Sequence, residues 1–403
     1  MTELIHREKT HVLPLDSIRG IAATSVVIHH LLLMPTFLAA FPHNAWIDCS
    51  FFRSSWLLVD LFFVLSGMVM SLSSVEGEFG RFSLRDFMVR RLARVYPLHI
   101  VMLAASLLFR LLRISLVMAG IVVAAPAAFE VNNSYSFLLN VFLLHSMGFI
   151  DYLSWNAPSW SISVEFYTYL AFGLVVLLAQ RMRSLSLFYA LSGAIALGSL
   201  AIIVFGLDKK SLGLQTDFGI LRCFVSFFLG VLTVRVVRRL PGKPDTVVQG
   251  VVQLVGMIAS IVLVSMVEAY PAASFLAPLT FSVFLGSLLA FPDALLVPRM
   301  LVTKPLVWLG QRSYSIYMVH ALVVLFAEYF VRAVGAKRIV ALDTVQPGLP
   351  ATLNLVVALA AVFLVSHYTY RYVEIPGGKI LRDLLGRRPR LSVAPAPSAR
   401  LTN

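Results

Sequence analysis

The chain has 403 residues, 59% hydrophobic and 13% charged, with a mean hydropathy of +0.85, more apolar surface than one soluble core can hide. The formal charge of +13 reads as positive-inside loops facing anionic headgroups, and needs no nucleic acid to explain it. With only Cys49 and Cys223, there is no disulfide framework and no spaced metal set, so no metal site is expected.

Residues 1–14 are polar and read as a cytoplasmic segment whose following apolar run is too long for a signal peptide. Candidate spans follow near 15–35, 56–74, 96–116, 160–180, 186–206, 218–236, 246–268, 272–290, 305–330 and 350–372, most of them long enough to cross at about 1.5 Å per residue. Two shorter apolar stretches, 117–128 and 137–149, read as re-entrant or interfacial. Most of the 33 Lys and Arg fall on one side if both ends lie inside. The expected fold is therefore all-α: a polytopic helical bundle of about ten transmembrane helices in the cell (inner) membrane, both termini cytoplasmic. Its membrane domain spans 15–380, and the basic, Pro- and Ala-rich residues 381–403 read as a disordered tail.

In the first span, Arg19 and His30 stand eleven residues apart. On a helix that offset places them on one face, about 16 Å apart along the axis. An ionisable side chain at membrane depth is costly and marks a functional candidate, and a neutral imidazole can act as a general base. His29 lies about 100° round the helix and takes a structural reading.

The second span opens with Asp60, either a carboxylate that orients His30 or a helix N-terminal charge complementing the dipole. Ser66 and Gly67 permit close helix packing and could admit a thioester. In the next inner loop Arg90, Arg91 and Arg94 abut the bilayer, where guanidinium forks suit phosphates. In the fourth span Glu165 is the other carboxylate that could orient His30, or a structural contact to Trp160 or the backbone, while Trp160 sits at an outer interface. His320 lies mid-span, touching either substrate or a core partner, and Glu374 is placed to pair with an inner arginine.

Five blocks in this order, LDSIRGIAATSVVIHH, VDLFFVLSGMVM, FMVRRLARVYPLH, PSWSISVEFYTYL, and SYSIYMVH with YRYVEIP, resemble the acyltransferase-3 family of integral membrane acyltransferases over about 15–379. The resemblance implies an O-acyltransferase moving an acyl group, by family habit acetyl, from cytoplasmic acyl-CoA to a hydroxyl of a surface or exported carbohydrate or lipid-linked glycan, lipopolysaccharide among them. No cofactor is permanently bound; acyl-CoA is the donor substrate. The family's basic residue, ten spacers and histidine map onto Arg19 and His30, and its basic block before Tyr-Pro onto Arg91 and Arg94. On this reading His30, Glu165 and Asp60 are catalytic; Arg19, Arg90, Arg91 and Arg94 bind the donor; His320, Trp160 and Ser66 contact substrate. His30 is a general base or a transient acyl acceptor. A secondary transporter or flippase, or a catalytically silent sensor, would also place ionisable groups inside spans.

Overall fold

The computed structural model describes residues 13–34, 47–76, 79–120, 130–242 and 244–386. Among them every regular element is helical, as expected where lipid offers a backbone no hydrogen bonds and each segment must satisfy its own. The principal helices are α1 (Leu13–Leu32), α2 (Leu58–Ser74), α3 (Leu84–Met118), α4 (Trp160–Arg181), α5 (Leu185–Ala201), α6 (Gly219–Arg238), α7 (Thr246–Met266), α8 (Ala277–Ala290), α9 (Lys304–Gln311), α10 (Ser313–Val334), α11 (Leu349–Thr369) and α12 (Ile375–Gly386). Among the described residues, nine helices are long and apolar enough to cross a bilayer, against ten expected spans. The difference is α1, where Asp16, Arg19, His29 and His30 interrupt the apolar run.

Three expected boundaries shift. The arginines placed in a loop before span three lie on α3 itself, which runs unbroken for 35 residues from a Ser83 cap that accepts the Asp86 amide. At 1.5 Å per residue that is about 52 Å, far beyond a hydrocarbon core of about 30 Å, so one end carrying Arg85, Arg90, Arg91 and Arg94 projects. The span expected over 305–330 is two helices, broken at Arg312. The last span continues through an irregular turn into α12, so residues 381–386 of the expected tail are helical; 387–403 lie outside the described residues. So does most of the 117–128 stretch, while 137–149 holds only the end of a short helix, Ser134–Val141.

Two helix contacts position everything that follows. A Cβ on Gly20 would sit 2.6 Å from the Gly310 nitrogen, and one on Gly310 2.4 Å from the Asp16 carbonyl, so α1 and α9 touch backbone to backbone. Ten residues beyond each glycine come His30, about 15 Å further along α1, and His320, on α10 beyond the break at Arg312. The second contact joins α2 and α6: a Cβ on Gly67 would lie 1.9 Å from the Phe227 carbonyl oxygen, and one on Gly230 2.0 Å from that of Val64. Small residues at such crossings let membrane helices approach closely enough for dispersion to hold them.

Pro97 has a comparable effect inside α3. It leaves the Ala93 carbonyl without its helical donor, and Gly377 and Gly378 of α12 pack against Pro97 and that carbonyl. This seats α12 beside the arginine-bearing end of α3. Outside the spans, Arg53 bonds Asp48 and reaches Glu268 at 2.9 Å, and these bonds hold both carboxyls below their usual range. The glycine contacts give a direct test. Gly67→Val should lower stability in detergent by about 2–5 kcal/mol, because backbone cannot yield as a flexible side chain can; an unchanged melting temperature would show that the two helices do not meet as described.

Candidate functional site

A cavity of about 280 Å³ lies between α1, α2, α3, α4, α10 and α12. One end is cationic, with Arg19, Arg90, Arg91, Arg94 and Arg382 on its wall; the middle carries Ser66, Glu165 and Tyr169; the far end is mostly apolar, with Val59, Phe62, Phe63 and Ile162 beside Ser161 and Tyr317. The four arginines expected at the donor site thus share one chamber. Arg382, which the sequence reading left in the tail, joins them because α12 is helical and docked.

The four do not stand in the same state. Arg94 is paired with Glu374, the partner the sequence anticipated, and Glu374 also accepts the Ser315 hydroxyl at 2.7 Å. Arg19 lies 3.6 Å from Asp16 one turn away. Arg91 forms no ion pair among the described residues; its guanidinium lies over the Phe87 and Tyr169 rings at 5.7 and 5.9 Å, and its buried Nε has no hydrogen-bond partner. A buried donor left unpaired is costly, so Arg91 is the residue most in want of an anion.

Both carboxylates proposed to orient His30 are engaged elsewhere. Asp60 is wholly buried and takes Arg222 in a fork, at 3.0 and 2.7 Å to one oxygen, while the other oxygen accepts the Ser226 hydroxyl at 2.8 Å. The Arg222 guanidinium lies between the Trp56 and Trp160 rings, 5.0 and 5.2 Å from their centroids. This corrects two expectations. Asp60 closes an internal ion pair, because a carboxylate away from water needs a cation, and Trp160 packs on that pair and on Phe63, only 5% exposed, rather than anchoring at an interface. Glu165 accepts the Ser66 and Tyr169 hydroxyls, the latter at 2.6 Å, and faces the cavity. Ser66 therefore faces the cavity with Glu165.

His30 has a different partner. Its Nδ1 lies 2.9 Å from the Val26 carbonyl oxygen and 3.3 Å from Nε2 of His320, whose own Nδ1 lies 2.6 Å from the Tyr317 carbonyl. A carbonyl only accepts, so in the neutral rings each Nδ1 carries the hydrogen. His320 Nε2 is then a lone-pair acceptor that shares the His30 Nδ1–H with Val26, and the remaining lone pair of His30 is on Nε2. His320 is wholly buried and is not on the cavity wall. His29 bonds the Phe52 carbonyl at 3.1 Å, the structural role its helix angle gave it.

The cavity wall stops one side chain short of this pair. Tyr317 lines the chamber and its ring centroid is 5.6 Å from that of His320, while its hydroxyl receives the Ser161 hydroxyl hydrogen at 3.0 Å. Arg222, Tyr317 and Arg382 are the residues sequence reasoning missed. Arg222 carried a signal, an arginine in the apolar run GILRCFVSFFLG that had to find an anion; the other two depend on how helices meet.

Comparison with known proteins gives a consistent set. A family model described as an acyltransferase domain matches residues 13–371. The chain is similar to the peptidoglycan O-acetyltransferase OatA of Listeria monocytogenes, 24% identical over 392 residues, and to the O-acetyltransferase OatA of Staphylococcus aureus, 25% identical over 384 residues. These alignments take in 91% and 90% of this chain and 56% of each relative, so the chain spans little more than half the length of either. No solved structure matches. If the Asp60–Arg222 pair is structural, Asp60→Ala should cost about 3–5 kcal/mol by stranding the guanidinium, seen as lost folded yield; a stably folded but inactive variant would return Asp60 to the chemistry.

Proposed function

The chain belongs to the acyltransferase-3 family, and on that premise we propose that it is an integral membrane O-acyltransferase carrying an acetyl group from cytoplasmic acetyl-CoA to a hydroxyl of an exported or surface glycan. The observation that supports this most is one continuous arrangement: a guanidinium-lined mouth, a cavity narrowing to apolar side chains, and behind its end wall an imidazole with its base nitrogen defined.

In this reading the 3′-phosphate and diphosphate of coenzyme A sit among Arg91, Arg90, Arg19 and Arg382, with Arg91 supplying the unsatisfied donor and Arg94 held in place by Glu374. The cationic end is the cytoplasmic one, and both termini lie on that side. The pantetheine arm passes Ser66 and Glu165 towards Tyr317, and the glycan arrives from the opposite face. The thioester comes to lie at the Tyr317 ring, in front of the histidine pair.

His30 Nε2 takes the proton of the acceptor hydroxyl as its oxygen adds to the thioester carbonyl. The tetrahedral intermediate expels the coenzyme A thiolate, and the imidazolium returns the proton to sulfur. While His30 is charged, its Nδ1–H bonds to Val26 and His320 become charge-assisted, roughly twice as strong as neutral ones. His320 thus fills the place first given to a carboxylate, that of a group holding the ring and its tautomer. The alternative, attack of His30 Nε2 itself to form an acyl-histidine, uses the same lone pair.

Purified protein with labelled acetyl-CoA and a glycan acceptor tests the proposal. His30→Ala should reduce transfer by about 10²–10⁴-fold, and retained transfer in a folded variant would remove His30 from the mechanism. Arg91→Ala should raise KM for acetyl-CoA about tenfold or more with a smaller change in kcat, as expected from losing hydrogen bonds to a charged group. His320→Phe should show the reverse pattern, kcat falling while KM for acetyl-CoA stays; a pure KM effect would mean that His320 binds substrate.

A further inference from the structure

The end of the cavity away from the arginines is lined by apolar side chains, and their bulk bears on which acyl group the protein accepts. Phe62 of α2 and Tyr317 of α10 meet edge to face there, ring centroids 5.9 Å apart and planes at 66°. Phe63, next to Phe62 on α2, packs against Trp160 with ring centroids 6.1 Å apart. Tyr317 is fixed by the Ser161 hydroxyl at 3.0 Å, and both Ser161 and Tyr317 are almost wholly buried. This end thus presents two aromatic rings from different helices in contact with each other, Phe62 partly buried and Tyr317 tied to α4 through Ser161.

We propose that Phe62 and Tyr317 set the length of the acyl group, admitting acetyl and excluding longer chains. The inference rests on the acyl-CoA reading above. With the coenzyme A phosphates at the arginines, the acyl group is the part of the donor that reaches this wall. A two-carbon group lies against the rings. Each added methylene has to displace one of two rings that already pack on each other, and dense interiors resist stretching to admit one. Discrimination by one methylene in such a site is about 10–200-fold. Ser161 and Tyr317 contribute by position: their hydrogen bond keeps the Tyr317 ring across the end of the chamber, while Phe62 supplies bulk alone.

The test compares acetyl-, butyryl- and hexanoyl-CoA as donors for wild type, Phe62→Ala, Phe62→Leu and Tyr317→Phe, reading the ratio of kcat/KM for hexanoyl over acetyl. Wild type should favour acetyl by at least tenfold at each step in length. Phe62→Ala should raise the hexanoyl-to-acetyl ratio at least tenfold, and Phe62→Leu, which keeps a side chain of intermediate size, should raise it less. Tyr317→Phe should leave the ratio nearer wild type than Phe62→Ala, since ring volume is retained. Wild type that uses hexanoyl-CoA as well as acetyl-CoA overturns the proposal without any variant, and so does an unchanged ratio in Phe62→Leu should Phe62→Ala not fold. Absence of transfer from any acyl-CoA by folded wild type would instead defeat the acyltransferase reading itself.

Discussion

Away from water every charge must find its partner inside the protein, and this constraint explains which polar residues here are structural and which face the cavity. Asp60 and Arg222 pair with each other, and Ser226, the Leu214 and Trp56 carbonyls and two indole faces complete the enclosure. Glu374 divides its oxygens between Arg94 and Ser315. Among the described residues that line the cavity, Arg91 keeps a buried Nε without a hydrogen-bond partner. Unmet hydrogen bonding is costly in this setting, and a ligand anion offsets that cost when it binds.

The histidine pair follows from helix packing more than from local sequence. Because α1 and α9 touch through Gly20 and Gly310, Arg19 is carried to the cationic end of the cavity and the chain leaving α9 enters α10 in register with α1. One turn along α10 Tyr317 closes the chamber, and the next polar residue, His320, meets His30. The same contact thus bears on the distance between the cavity arginines and the histidine pair. A bulkier residue at either glycine would disturb both ends of the site together.

Much of this was legible in the sequence and some could not have been. The 3.6-residue repeat alone puts Arg19 and His30 on one face, and hydropathy alone finds nine of the ten expected spans as helices. The pairing of Glu374 with an inner arginine followed from charge and depth. The partner of Asp60 did not, because a carboxylate near a helix start has several plausible uses and only the packing of α6 on α2 selects Arg222. Trp160 was read as an interfacial anchor from its neighbours in sequence, whereas its ring turns inward onto that ion pair. Arg382 lay in a segment whose composition suggested disorder, and its helix is stabilised by Pro97 and Ala93 of α3, far away in the chain. Local pattern gave the elements and the candidates; the identity of each partner came from long-range contact.

The acyltransferase reading turns on a single spatial relation, coenzyme A phosphates at the arginines and an acyl group at the wall in front of His30. A cryo-electron microscopy structure with a non-hydrolysable acetyl-CoA analogue measures it directly. The diphosphate should lie within ion-pair distance of Arg91, with the acetyl group against Phe62 and Tyr317 and its carbonyl turned towards Nε2 of His30. An analogue bound with its phosphates away from Arg91, or with its acetyl group on a side of the bundle remote from Tyr317, would contradict it.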